Sequence, residues 1–229
     1  MAFRYEEAVP WGRSYDEYRR MFAMSEDDLG LRIIGCGDGP ASFNSEMFKR
    51  GSHVVSCDPL YQLSRVQIQA RIDVTYENVM RQTYQNRDHF VWTRFQSPEE
   101  LGQARLAAMT LFLADYDEGK PAGRYVIGEL PDLPFKAESF DLALCSHFLF
   151  LYSDNLTLDF HRKAIEEMCR VAHEARVFPL LNYNAARSPY LEPLLTDLAD
   201  AGYSAVVERV PYEFQRGGNQ MLRVRRQKQ

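Results

Sequence analysis

The sequence predicts an α/β protein on a doubly wound, seven-stranded sheet. The sheet is mostly parallel, with one antiparallel strand brought in by a C-terminal hairpin. Three observations predict it. Short apolar runs alternate with amphipathic helical stretches along most of the chain. The first run ends in a cluster of glycines that opens a helix. Gly217-Gly218 is the single tight hairpin signal, whereas the earlier strands connect through helices and so run parallel.

The elements follow in order. Tyr5, Trp11, Tyr15, Tyr18 and Phe22 mark a polar first thirty residues and predict a short amphipathic helix over about 14–23. Leu31-Arg32-Ile33-Ile34 reads as a buried strand ending at Gly35-Cys36-Gly37-Asp38-Gly39-Pro40. A helix over Ala41 to Arg50 stops at Gly51, where glycine accepts a left-handed conformation. His53-Val54-Val55-Ser56-Cys57 is a second strand, closing at Asp58-Pro59. From Tyr61 to Gln96 the sequence is polar and helical, with Ile68, Ile72, Tyr76, Val79 and Met80 on one face. Ser97-Pro98-Glu99-Glu100 starts another helix, in which serine caps free amides, proline suits the first turn and Glu100 completes a capping box. That helix runs to Ala114, and Arg124-Tyr125-Val126-Ile127 is the third strand.

About 66 residues thus lie between Asp58 and the third strand, where one crossover helix needs about a dozen or more. Residues 62–96 are read as a helical insertion, too short to hold a core of their own. Phe140 to Cys145 is the fourth strand, and a helix over 155–173 turns Phe160, Ala164, Ile165, Met168 and Val171 inward. Ala175 to Leu181 is the fifth strand, and Ser188-Pro189-Tyr190 opens a helix ending at Gly202. Strands over 204–214 and 219–226 form the hairpin. The whole of 1–229 reads as one domain, with 1–30 as a helical lid.

Composition narrows the partners. The 27 basic and 32 acidic side chains give a net charge of -5, which excludes a generally basic nucleic-acid coat. The basic tail Arg223, Arg225, Arg226 and Lys228 reads as a short solvated end. No apolar run reaches the roughly 18 residues a membrane span needs, and Arg4, Glu6 and Glu7 interrupt any apolar leader. Cys36, Cys57, Cys145 and Cys169 form no CxxC pair and sit mostly in apolar runs. They read as buried reduced thiols in a cytoplasmic protein, with no metal site.

A strand that ends in glycines and opens a helix is a place where backbone can approach a ligand. Asp58 lies 23 residues after Gly35, near the roughly 20-residue offset of an acid that holds a ribose diol. The place of the third glycine of a dinucleotide fingerprint is Pro40, which offers no amide to a pyrophosphate. The loop therefore suits a ligand with an adenosine and a charged amino-acid tail.

On these residues the chain resembles the class I S-adenosylmethionine (SAM)-dependent methyltransferases of small molecules, a Rossmann-like family. The resemblance rests on Ile33-Ile34-Gly35-Cys36-Gly37-Asp38-Gly39 and on Val54 to Asp58. It extends to Gly128-Glu129-Leu130-Pro131-Asp132-Leu133-Pro134-Phe135 and Ser139 to Ser146. It implies that Gly35, Cys36, Gly37, Asp38 and Gly39 wrap the methionine part of SAM, that Asp58 holds the ribose, and that Pro59 lies against the adenine. It places Glu129 and Leu130 at the adenine edge, although the family more often has aspartate there. Ser146, His147 and Phe148 would line the floor beside the sulfonium.

Methyl transfer asks the protein chiefly to align acceptor and donor and to exclude water. His147 is the candidate base, and an ordinary pKa of roughly 6.5 suits proton transfer near neutrality. The competing reading, which the residues favour, is a histidine that merely orients SAM or satisfies a backbone carbonyl. His161 reads as an exposed or capping residue. Trp11, Arg13, Tyr15 and Tyr18 either close over SAM, where tyrosine faces attract a sulfonium, or pack as ordinary aromatics on the sheet. Ser146-His147-Phe148-Leu149 lacks the Pro-Pro of enzymes that methylate base amines, and no Pro-Cys nucleophile occurs. The expected function is methyl transfer to a small-molecule acceptor, with no nucleic acid or membrane as partner. The competing reading is a non-catalytic SAM-binding or protein-interaction domain of the same fold.

Overall fold

The computed structural model describes residues 9–227. Arg4, Tyr5, Glu6, Glu7 and Lys228 lie outside the described residues. The strands are β1 (Ile33–Cys36), β2 (Val54–Cys57), β3 (Tyr125–Val126), β4 (Phe140–Ser146), β5 (Ala172–Phe178), β6 (Tyr203–Arg209) and β7 (Gln220–Arg226). The helices are α1 (Tyr15–Met21), α2 (Phe43–Lys49), α3 (Arg65–Gln85), α4 (Pro98–Gly119), α5 (Leu158–Val171) and α6 (Leu191–Asp200).

The strands form one sheet in the order β3-β2-β1-β4-β5-β7-β6. Pairing is parallel from β3 to β5, and β7 runs antiparallel to both β5 and β6. The strand order reverses between β1 and β4, so a crevice opens beyond their carboxyl ends, the usual ligand position in such sheets.

Alternation along β1 divides the core. Ile34 and Cys36 face one side with Ala143, Cys145 and the apolar stripes of α5 and α6. Ile33 faces the other with Leu142, Leu144, Phe43 and the aromatics of α1. A third cluster joins Ile68, Ile72, Val79 and Met80 of α3 to Met109, Phe112 and Tyr116 of α4 and to Tyr61, Tyr125 and Trp11. Helix α3 therefore buries its stripe on α4 and has no core of its own.

Local chemistry sets the boundaries. Ser14 with Glu17 and Ser64 with Gln67 form capping boxes at α1 and α3. Ser97 caps α4 through the Glu100 amide, but the Glu100 carboxylate takes the Gln96 amide instead of closing the expected box. Helix α4 continues past Ala114 to Gly119, where a Cβ would meet the Tyr125 ring at 2.5 Å; glycine is needed there for packing on β3.

Strand β1 begins at Ile33 and runs into the glycine cluster, and β5 begins at Ala172 directly after α5. It ends before Pro179, which has no amide for the ladder. The expected tight hairpin is opened: β6 stops at Arg209, because residues 214–216 leave the ladder to pair with 89–91. Among the described residues the basic tail is only partly a solvated end, for Arg225 and Arg226 are exposed but the strand ties two of its arginines down. Arg223 and Arg225 lie on β7 and both meet the buried carboxylate of Glu174, which also holds Arg176. All four cysteines are buried, and among the described residues no helix is long and apolar enough to cross a membrane.

Candidate active site

The glycine loop leaves β1 with Gly37 at φ +71° and Gly39 at φ +54°, conformations that L side chains rarely adopt. Three contacts hold it. The Gly37 amide donates to the Cys57 carbonyl at 2.9 Å, the Gly39 amide to Asp58 Oδ2 at 2.8 Å, and Tyr61 Oη to the Gly39 carbonyl at 2.8 Å. Asp58 Oδ1 accepts the Leu60 amide at 2.7 Å. Each oxygen of Asp58 keeps a second lone pair for a ligand hydroxyl. Burial pushes the Asp58 carboxyl up, the two amides oppose this, and nearby Glu129 adds to the rise. Glu129 is itself exposed in the β3–β4 loop and shares the crevice electrostatically with Asp58.

The carboxylate of Asp38 turns back over Gly35, where an added Cβ would overlap it at 1.9 Å. It accepts from Tyr18 Oη at 2.8 Å and Ser56 Oγ at 2.6 Å. Burial pushes this carboxyl up to about 6 against the pull of those two donors. Asp38 therefore braces the loop from beneath and ties it to α1. Cys36 and Leu130 point into the core, leaving only backbone to the crevice, whereas Pro59 is exposed.

At the end of β4, the Phe148 ring backs Gly37, and a Cβ there would sit 3.4 Å from it. His147 adopts φ 53°, with Nδ1 2.9 Å from Ser146 Oγ and its ring edge-on to Phe178. Burial, with Arg13 and Arg105 nearby, holds the imidazole well below its usual pKa, so it is neutral at pH 7. His161 is fully buried instead of exposed. Its ring nitrogens bridge the Thr157 and Leu149 carbonyls, bracing the segment after β4.

His147 also lines a cavity of ≈ 110 Å³. Its walls come from Trp11 and Arg13 of the N-terminal strap, Val79 and Thr83 of α3, Arg105 of α4, Tyr152 and Tyr183 beyond β4 and β5, and Phe214 and Gln215 of the opened hairpin loop. The strap crosses the glycine loop. Its Arg13 carbonyl accepts the Ser42 amide at 3.0 Å, and a Cβ at Gly12 would strike the Pro40 carbonyl at 2.1 Å. Of the aromatics expected over the ligand, Trp11 walls the cavity and Tyr18 reaches Asp38. Tyr15 instead packs on Phe43 under the Arg50 guanidinium.

A methyltransferase-domain family model matches residues 98–175, which include the β4 end and its Ser146-His147-Phe148 turn. Over 224 residues the chain is 33% identical to "Uncharacterized protein MJ0045" of Methanocaldococcus jannaschii, covering 96% of this chain and 97% of the relative. The chain carries the methyltransferase domain of that family model and belongs to one family with this relative. Among solved structures, it is similar to a TehB-like SAM-dependent methyltransferase of Corynebacterium glutamicum. The identity is 17%, with 93% of this chain and 88% of that one covered and a TM-score of 0.48. It is also similar to the magnesium protoporphyrin IX methyltransferase of Synechocystis with bound SAH (S-adenosylhomocysteine). There the identity is 13%, the coverage 88% and 77%, and the TM-score 0.46. Both scores are below 0.5, and the strand order of this methyltransferase carries the fold assignment by itself.

Sequence reasoning named the glycine loop, Asp58, Glu129 and the 146–148 turn as site residues, and the structure places them at or just beyond strand ends. The same reasoning missed Arg105, Glu17, Tyr152, Tyr183 and Gln215. Arg105 left one trace, a lone charge on the apolar stripe of Leu101, Ala108, Met109 and Phe112.

Proposed function

We propose that this methyltransferase moves the methyl group of SAM to a small-molecule acceptor seated in the cavity beside His147. The observation that carries this reading is the junction of Phe148 and His147. One ring backs the glycine loop and the next lines the cavity, so the loop and the cavity meet at a single peptide. SAM, when bound, supplies an electrophilic methyl carbon.

In this reading the backbone of Gly35, Cys36, Gly37 and Gly39 receives the methionine part, with Asp38 fixing the loop. Asp58 receives the ribose hydroxyls, and Pro59, Glu129 and Leu130 border the adenine. The fit is supported by the positive-φ glycines, which leave bare backbone at Gly39, and by the unused lone pairs of Asp58.

The remaining work is done by the cavity. The strap and α3 exclude water, and aromatic walls fix the plane of an acceptor. The neutral His147 ring, anchored through Nδ1 to Ser146 Oγ, is placed to accept a proton as the acceptor is methylated. The half-open, small cavity and the acidic balance of the chain support a small molecule over a nucleic acid.

The test is incubation with methyl-labelled SAM and an ultrafiltered metabolite pool. Label in a small product, lost in Asp58→Ala, supports the reading. SAH binding without label transfer to any pool would instead favour a non-catalytic SAM-binding domain.

A further inference from the structure

The cavity lining contains two arginines and a neutral histidine and, among the described residues, no carboxylate. The two arginines differ. Arg105 is neutralised by Glu17, whose other oxygen accepts Tyr212 Oη at 2.7 Å. Arg13 has no carboxylate partner among the described residues. Its Nη1 donates to the Trp11 carbonyl at 2.7 Å, and its Nε is buried without an acceptor. The Nε of Arg105, a side chain only 2% exposed, is likewise buried and unpartnered. Both Nε–H groups are closed off beside the cavity without acceptors, and among the described residues the two guanidiniums share the single nearby carboxylate of Glu17. Burial, reinforced by Arg105 and opposed by Glu17, pulls the Arg13 pKa down to about 10.

A half-buried guanidinium that has no carboxylate of its own is stabilised when an anion pairs with it. The rest of the lining is mostly apolar or aromatic, including Trp11, Leu101, Leu151 and Phe214, with Thr83 and Gln215 as the polar exceptions. We infer that the acceptor is an anion, a planar apolar molecule bearing a carboxylate or a group of equivalent charge, with Arg13 as the residue that selects it. A planar guanidinium suits such a fork-shaped acceptor better than an ammonium does. The inference rests on the reading of this cavity as the acceptor site.

The test uses calorimetric titration of the full chain, with and without SAH. The probes are three matched pairs: benzoate and benzamide, 2-naphthoate and 2-naphthamide, indole-3-acetate and indole-3-acetamide. At least one carboxylate is expected to bind roughly tenfold or more tightly than its amide, the worth of one charge-assisted hydrogen bond in a dry site. Arg13→Gln abolishes the preference and Arg13→Lys keeps part of it, while circular dichroism and SAH affinity report an intact fold. A panel in which no carboxylate exceeds its amide overturns the inference, as does a preference that survives in Arg13→Gln. Loss of SAH binding with the anion preference intact would count against the methyl-donor reading alone.

Discussion

Glu17 and Arg105 form an ion pair in which each side chain is only 2% exposed, joining α1 to the middle of α4. Burial by itself would raise the Glu17 carboxyl, but the Arg105 charge and hydrogen bond outweigh it and hold the group at about 2, against 4.5 for a free glutamate. A depressed acid contributes stability that is complete above its unfolded pKa. That stability is lost as pH falls through the window from about 4.5 to about 2. Glu17→Ala leaves Arg105 buried and unpaired and is expected to cost about 3–5 kcal/mol by denaturant unfolding. The double replacement Glu17→Leu with Arg105→Met recovers most of that loss. If the single and double variants are equally unstable, the pair is not the source of the effect.

Asp38 titrates in the opposite sense. Its carboxyl is raised by burial from 3.8 to about 6, so the folded protein holds this proton more tightly than the unfolded chain does. Its contribution is greatest below about pH 4 and falls by about 3 kcal/mol as pH rises toward 6. Asp38→Asn can still accept from Tyr18 and avoids the buried charge. It is expected to melt several degrees above wild type near pH 8 and to lose the slope between pH 4 and 6. Equal melting temperatures at both pH values would contradict this.

The glycine loop tolerates no side chain at two positions, for different reasons. Gly35→Ala places a methyl inside the Asp38 carboxylate, and Gly37→Val sets a β-branched residue at φ +71° against Phe148. Each is expected to cost about 1–3 kcal/mol of stability. Each also lowers SAH affinity by at least tenfold, read by calorimetry on the fraction that remains folded. Unchanged affinity in both would separate this loop from the cofactor.

His147 is held neutral by burial and by its two arginine neighbours. Once an acceptor is in hand, the turnover rate is expected to stay level from about pH 6 to pH 8, with no inflection near 6.5. His147→Ala is expected to lower kcat by roughly a hundredfold or more while leaving SAH affinity unchanged, the size of a general-base contribution. A drop of less than a few-fold would reduce His147 to a wall of the cavity.

The parts of the fold and site that were legible in the sequence are those carried on one continuous stretch. The glycine cluster, Asp58 and the 146–148 turn each sit where a strand ends, and strand ends are marked by their own residues. The alternation of elements likewise disclosed the sheet and its reversed last strand. The far side of the cavity was not legible, because Arg105, Tyr152, Tyr183 and Gln215 come from four separate elements that only tertiary packing brings together. His161 misled for a related reason. Its charged neighbours Arg162 and Lys163 suggest a solvated helix face, but the i+4 stripe through Ile165 and Cys169 turns it inward. The tail misled because the partner of Arg223 and Arg225 is Glu174, some fifty residues away on β5.

In the proposed function the glycine loop and Asp58 hold an adenosyl amino acid. Calorimetric titration of the purified chain with SAH, with NADH as control, tests it most directly. Saturable one-to-one binding of SAH is expected, weakened roughly 10–100-fold or more in Asp58→Ala by the loss of its charged hydrogen bonds, with no binding of NADH. Binding of NADH in place of SAH, or SAH affinity unchanged in a folded Asp58→Ala variant, would contradict it.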